Sequence, residues 1–223
     1  GLDYSLYQNG LFRTYAYPPQ FNSANLSIRS FVNRGPEKVI GSRDGLFYIN
    51  EATGIVKSFV KPVLTSDLIL TICFYEGEYY IGTYGGGMMV LNPQTLSLKY
   101  FTQGDTELFQ KGHIFCVKPD NRGNLWIGTS QGLFCYNGQT KQIKNFTSTN
   151  SQLPEGNVYE VSFDSTGKGW IATETGMCIY DPASQSLRSN VFPEGFVHKD
   201  KVRTIYEDAE HNLYFIREKG SLF

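Results

Sequence analysis

Residues 123–148, GNLWIGTSQGLFCYNGQTKQIKNFTS, read as a strand, a tight turn, a second strand, a polar turn and a third strand. The apolar runs are short, alternate in part, and are rich in β-branched and aromatic residues; Gly, Asn and Ser separate them. The stretch recurs along the chain as KVIGSRDGLFYINEATGIVKSF (38–59), YYIGTYGGGMMVLNPQTLSLKYF (79–101), GWIATETGMCIYDPASQSL (169–187) and LYFIREKGSLF (213–223). The glycine after its first strand anchors each copy: Gly45, Gly86, Gly132, Gly176 and Gly220, with gaps of 41, 46, 44 and 44 residues. Gly1 lies another 44 residues before Gly45, so the opening of the chain joins the register. An aromatic recurs fourteen residues after the anchor at Tyr15, Phe59, Tyr100 and Phe146 and is lost in the fifth copy.

Each period reads as four strands; in the third full copy these are HIFCVKP, LWIGTS, LFCYN and QIKNFT. Asp120 and Gly123 mark one turn, Asp164 and Gly167 its repeat, and Asn9-Gly10 between apolar residues signals a hairpin. Helix is expected to be minor. A four-stranded repeat of ~40–45 residues predicts a blade of a β-propeller, because one such sheet cannot bury both its faces and several stacked radially can. The predicted fold is therefore all-β: a propeller of four-stranded antiparallel blades with about five repeats, forming a single domain or propeller fragment over 1–223. Trp126, Trp170 and Tyr80 share one position and should pack between neighbouring blades. Residues 1–16 supply third and fourth strands and 201–218 first and second strands. The two ends therefore either complete a fifth blade or belong to a larger ring.

Composition narrows the function classes. Of 223 residues, 40% are hydrophobic and 15% aromatic, enough for a substantial core. Twenty basic against twenty-one acidic residues leave a net charge of −1 without a basic block, so nucleic acid is not an expected partner. No apolar run reaches the ~18 residues of a membrane span, and no signal peptide is read at the start. Cys73, Cys116, Cys135 and Cys178 sit in apolar strands without CxxC or Cys/His grouping; buried free thiols are expected, with no metal and no cofactor.

The motif NLWIGTSQGL (124–133), with GWIATETGM and KVIGSRDGL as variants, resembles the two-component regulator propeller repeat, and the resemblance covers essentially the whole chain. Departures are the extra glycine of YGGGMM, Ala172 in place of the usual glycine, and IREKGS in the last copy. The resemblance implies a periplasmic sensor region of a hybrid two-component system. Such a region recognises an oligosaccharide, signals to a histidine kinase as a homodimer in the full-length protein, and meets the membrane only through segments outside this sequence. The domain itself would not be an enzyme.

Propeller geometry places candidate ligand-binding residues without the resemblance. The turn between second and third strands shares a face with the entry to the innermost strand. Those turns carry Arg43, Asp44, Tyr84, Ser130, Gln131, Glu174, Thr175, Arg217 and Lys219; the strand entries carry His113, Asn157 and Lys201. Planar hydrogen-bonding groups beside an aromatic suit a sugar. Catalysis is less well served. No carboxylate pair stands out at the ~5–10 Å that a glycosidase needs, and neither GxSxG nor HExxH occurs. A propeller glycosidase or a lyase using a histidine such as His113 is the catalytic alternative. An interaction or dimerisation scaffold is the third, with Phe109 and Phe196 on the longest inter-blade connections as contact candidates.

Overall fold

The computed structural model describes residues 4–8, 11–15, 27–104, 106–189 and 201–218. The chain runs as a series of antiparallel meanders. A first hairpin, β1 (Tyr4–Gln8) and β2 (Leu11–Tyr15), is followed by a sheet of β3 (Ile28–Arg34), β4 (Glu37–Ser42), β5 (Leu46–Asn50) and β6 (Ile55–Phe59). The second sheet is β7 (Ile69–Tyr75), β8 (Glu78–Thr83), β9 (Met88–Leu91) and β10 (Leu98–Tyr100). A single-turn helix, α1 (Thr106–Lys111), leads into the third: β11 (Ile114–Pro119), β12 (Asn124–Thr129), β13 (Gly132–Asn137) and β14 (Ile143–Phe146). The fourth is β15 (Val158–Phe163), β16 (Gly169–Thr173), β17 (Gly176–Asp181) and β18 (Ser186–Arg188), and a last hairpin is β19 (Val202–Glu207) with β20 (Leu213–Arg217). These are propeller blades in series. Among the described residues the two hairpins remain separate two-stranded sheets. Gly1, Gly220 and the Asn9-Gly10 turn lie outside the described residues.

The core lies between blades rather than inside any one of them. One cluster joins Tyr75, Tyr80 and Phe101 of the second blade to Val117, Ile127 and Tyr136 of the third. Equivalent clusters join the first blade to the second and the third to the fourth. The second strands of the second and third blades lie between two neighbours, and KVIGS, YYIGT and LWIGT are all nearly continuous buried runs. Trp126 packs as its position predicts, with its ring centroid 5.8 Å from Phe146 on its own blade and 4.5 Å from Tyr180 on the next. Trp170 meets Phe215 of the last hairpin in the same way. Each indole N–H donates to the aspartate that opens its blade's first turn, Asp120 at 2.9 Å and Asp164 at 2.8 Å; Tyr214 donates to Asp208 in the same place.

The glycine of the IGT motif is a packing residue. A Cβ on Gly41 would stand 2.5 Å from Cγ2 of Ile69 on the next blade, and one on Gly82 would stand 2.7 Å from Cγ2 of Ile114. Ala172 fills the fourth copy and packs on Val202. The fifth carries Ile216, which pairs with Thr204 as Gly128 pairs with Cys116.

In the four blades a buried hydroxyl closes the turn after the second strand. Ser42, Thr83, Thr129 and Thr173 donate to the carbonyls of Gly45, Gly87, Gly132 and Gly176 at 2.8–3.1 Å. The anchor of the second blade is thus Gly87 rather than Gly86, because the added glycine is absorbed within the turn. The recurring aromatic shifts with it: Phe101 N donates to Met88 O and its ring is 4% exposed, whereas Tyr100 is 44% exposed. The spacing becomes a more even 42, 45 and 44 residues.

Phe109 faces inward. It is 0% exposed and packs its ring 5.3 Å from Phe134, so the α1 connection seals the cleft between two blades instead of offering a contact residue. Phe196 and His198 lie outside the described residues.

Candidate functional site at the mouth of the inner strands

The repeat places its turn and strand-entry residues together through one recurring hydrogen bond. The N–H of the residue after the second strand donates to the carbonyl of the residue at the entry to the first strand: Arg43 to Ser27, Tyr84 to Leu68, Ser130 to His113, Glu174 to Asn157, and Glu218 to Lys201. The two sets of sequence candidates therefore share a rim. The innermost strand adds a second device. In every blade its pairing slips by one residue near the entry, between Ile114 and Cys116 in the third, Val158 and Glu160 in the fourth, and Val202 and Thr204 in the last. The extra residues of these bulges are Phe115, Tyr159 and Arg203; a bulge leaves a residue outside the ladder and re-aims its side chain.

These residues form a continuous ladder across the blades. The Tyr84 ring, 51% exposed, lies 4.0 Å from the His113 imidazole, which is tilted 33° to it. His113 stacks on Phe115 at 6.2 Å, and Phe115 meets Tyr159 edge-on at 5.2 Å. The Arg203 guanidinium stands 4.4 Å and the Lys201 ammonium 5.2 Å from the Tyr159 ring centroid. Asn157 Nδ2 donates to the Tyr159 hydroxyl at 3.1 Å, and Asn157 N–H donates to Glu174 Oε2 at 3.3 Å. Glu218 closes the series by accepting from Lys201 at 2.9 Å and Arg203 at 3.1 Å.

The electrostatics follow from that last arrangement. Bonds from Lys201 and Arg203 hold the Glu218 carboxyl below its ordinary range, and the Glu218 carboxylate in turn raises the Lys201 ammonium. Glu218 is therefore a firmly ionised acceptor. A glycosidase acid needs the opposite shift. His113 Nδ1 is buried without a hydrogen-bond partner, leaving its ring as part of the aromatic platform. The rim thus offers an exposed ring, an amide, two carboxylates and two cations, a set suited to pairs of hydroxyls and ring faces.

Of the sequence candidates, Tyr84, His113, Asn157, Glu174 and Lys201 enter this contact series. Arg43, Asp44 and Gln131 stand on turns of the same rim but make none of its ring, ion-pair or side-chain hydrogen-bond contacts. Arg217 is the last residue of β20, in the place of Thr129, and the turn residue equivalent to Glu174 is Glu218. Phe115, Tyr159, Arg203 and Glu218 were missed by sequence reasoning. Their signal was present: Phe115, Tyr159 and Arg203 follow His113, Asn157 and Lys201 by two residues and recur every 44.

A family model described as a two-component regulator propeller matches residues 109–131, which span the end of α1, β11, β12 and the turn carrying Gln131. No curated protein matches the chain in sequence. Among solved structures, the extracellular domain of BT3049, described as a hybrid two component system of B. thetaiotaomicron, superposes with a TM-score of 0.74 at 23% identity over 98% of this chain. The extracellular domain of BT4673 from the same organism, described likewise, superposes at 0.72 with 19% identity over 94%. The chain spans 30% and 28% of the length of those two structures. The repeat at 109–131 is of the two-component regulator propeller type, and the chain has the fold of those extracellular domains.

Proposed function

We propose that this chain is part of the extracytoplasmic sensor region of a hybrid two-component system, and that it recognises an oligosaccharide at the rim built by Tyr84, His113, Phe115, Tyr159, Lys201 and Glu218. The observation that carries the reading is the ladder itself. Five of the twelve candidate turn and strand-entry residues enter one contact series, and bulged residues of three successive inner strands extend it. The fold shared with extracellular domains of hybrid two-component systems supports the sensor role and the periplasmic location, with histidine-kinase signalling and dimerisation belonging to the full-length protein. Binding without turnover fits the site, because its best-defined carboxylate is tied to two cations. The inward packing of Phe109 withdraws one of the two contact candidates of the scaffold reading; the other, Phe196, lies outside the described residues.

Thermal unfolding against a panel of defined plant and host oligosaccharides tests the reading. One sugar class should raise the midpoint by several degrees in a dose-dependent way, since a ligand bound to the native state alone stabilises it by mass action. The sugar should be recovered intact. Tyr84→Ala removes the exposed ring and should cut the shift, at roughly 1–3 kcal/mol of lost stacking. A shift that Tyr84→Ala leaves unchanged would move the site away from this rim.

A further inference from the structure

A second polar groove lies on the outer wall, between the fourth strands of the third and fourth blades. It has a volume of about 460 Å³ and is lined by Lys144, Asn145, Asn150, Gln152, Gln185 and Arg188, among others. Lys144 and Arg188 occupy one register position of the repeat. Lys144 pairs with Cys135 and Arg188 with Ile179, as Lys57 pairs with Tyr48 and Lys99 with Val90. Fourth strands are sheet edges, and a charge on an edge strand deters pairing with a second chain. That accounts for a cation at this register in every blade. It does not account for what surrounds the cations here.

Acceptors on Asn150, Ser151 and Gln152 are already committed. Asn150 Oδ1 accepts from Thr147 N–H, and Gln152 Oε1 accepts from Ser189 N–H. The Ser151 hydroxyl donates to the Thr147 carbonyl and accepts from Leu153 N–H. Among the described residues, Lys144 has no carboxylate within ion-pair distance; its ammonium sits 4.7 Å from the Phe146 ring centroid. Arg188 shares one nitrogen with Asp181 at 3.5 Å. The groove keeps charged and amide donors available, the Lys144 ammonium, the remaining guanidinium N–H groups and the Gln152 side-chain NH₂, beside the amides of Asn145 and Gln185. The groove between the second and third blades differs in this respect. There Lys99 lies 3.0 Å from Glu78 and Lys141 3.7 Å from Glu76, so its cations are neutralised.

We propose that the outer groove between β14 and β18 is a second binding site, for the carboxylate or sulfate of an acidic saccharide. Charge-assisted bonds from Lys144 and Arg188 hold the anion, and the Gln152 amide donates to a flanking hydroxyl. The site does not depend on the rim of the inner strands, and it is read in a protein whose rim carries Tyr84→Ala.

The experiment is calorimetric titration of the 223-residue chain, in the Tyr84→Ala background, with three tetrasaccharides: tetragalacturonate, a κ-carrageenan tetrasaccharide (sulfate without carboxylate) and cellotetraose. An acidic probe should bind and cellotetraose should not, with affinity falling as salt is raised. Lys144→Gln and Arg188→Gln should each weaken it by ~10-fold, the worth of one charge-assisted hydrogen bond. Lys99→Gln, at the same register in the neutralised groove, should leave it unchanged and so controls for loss of net charge. Which acidic probe binds distinguishes carboxylate from sulfate. The proposal is overturned if neither acidic probe binds, or if Lys99→Gln weakens binding as much as Lys144→Gln. Binding of cellotetraose at equal strength overturns the anion assignment.

Discussion

At the scale of single residues, the glycines separate into those that hold a turn and those that make room. Gly87 does both. Its φ is +71°, and an added Cβ would run into the Phe109 carbonyl of the α1 connection, so Gly87→Ala should cost roughly 2–4 kcal/mol. Gly123 has a similar φ of +79° but open space around it, so Gly123→Ala should cost only about 1 kcal/mol. Urea unfolding of the two variants measures the difference. Neither role is visible in YGGGMM, where three glycines in a row make the choice of anchor ambiguous; only the hydroxyl of Thr83 reaching Gly87 resolves it. The cysteines were simpler to read, since apolar surroundings alone mark them as inward-facing: Cys73, Cys116 and Cys178 are buried and Cys135 is partly buried. Burial pushes the thiols of Cys73 and Cys135 up to about 12, and raises Cys116 and Cys178 as well. An unfolded thiol loses its proton near 9.0 while these keep theirs. Their contribution to stability is therefore complete below pH 9 and is lost as pH rises from there toward 12. The urea midpoint should fall over that interval, and in native protein at pH 8 Cys73, Cys116 and Cys178 should resist thiol-specific labelling until the protein is unfolded.

The strand is the scale at which the sequence was most legible and also where it misled. Period-two alternation and turn residues located all four strands of the third blade. Bulges were invisible, because an extra residue in an innermost strand leaves the apolar pattern intact while changing where one side chain points. That is why Phe115 and Tyr159 were passed over as ordinary strand residues. Contact between strands of neighbouring blades makes a sharper prediction. At Gly82 a methyl group would stand 2.6 Å from Thr71 Cγ2 and 2.7 Å from Ile114 Cγ2, so Gly82→Ala should cost about 1–3 kcal/mol through overpacking. Ala172 occupies the equivalent place with its methyl group accommodated, and Ala172→Gly should cost under about 1 kcal/mol. Thermal unfolding of the two variants compares them, and equal effects would contradict the packing role assigned to this position.

Across the whole molecule, blades depend on their neighbours, since every large cluster spans two of them. The repeat period conveyed that dependence before any coordinates did, because a four-stranded sheet of this size has two faces to cover. The rim was legible in outline for the same reason: a repeat puts equivalent residues at equivalent places. Its chemistry was not, because the ladder depends on contacts between bulged residues of successive blades. Ile216, 47% exposed where the other blades keep Gly or Ala, marks the last hairpin as different from the rest.

The rim as an oligosaccharide site is the central claim, and amide chemical-shift mapping of the labelled chain with the sugar that raises its thermal midpoint tests it most directly. The account predicts that the largest perturbations fall on Tyr84, His113, Phe115, Asn157, Tyr159 and Lys201, with the outer groove silent unless the sugar is acidic. Perturbations confined to other surfaces, with these six residues unmoved at saturation, would contradict it.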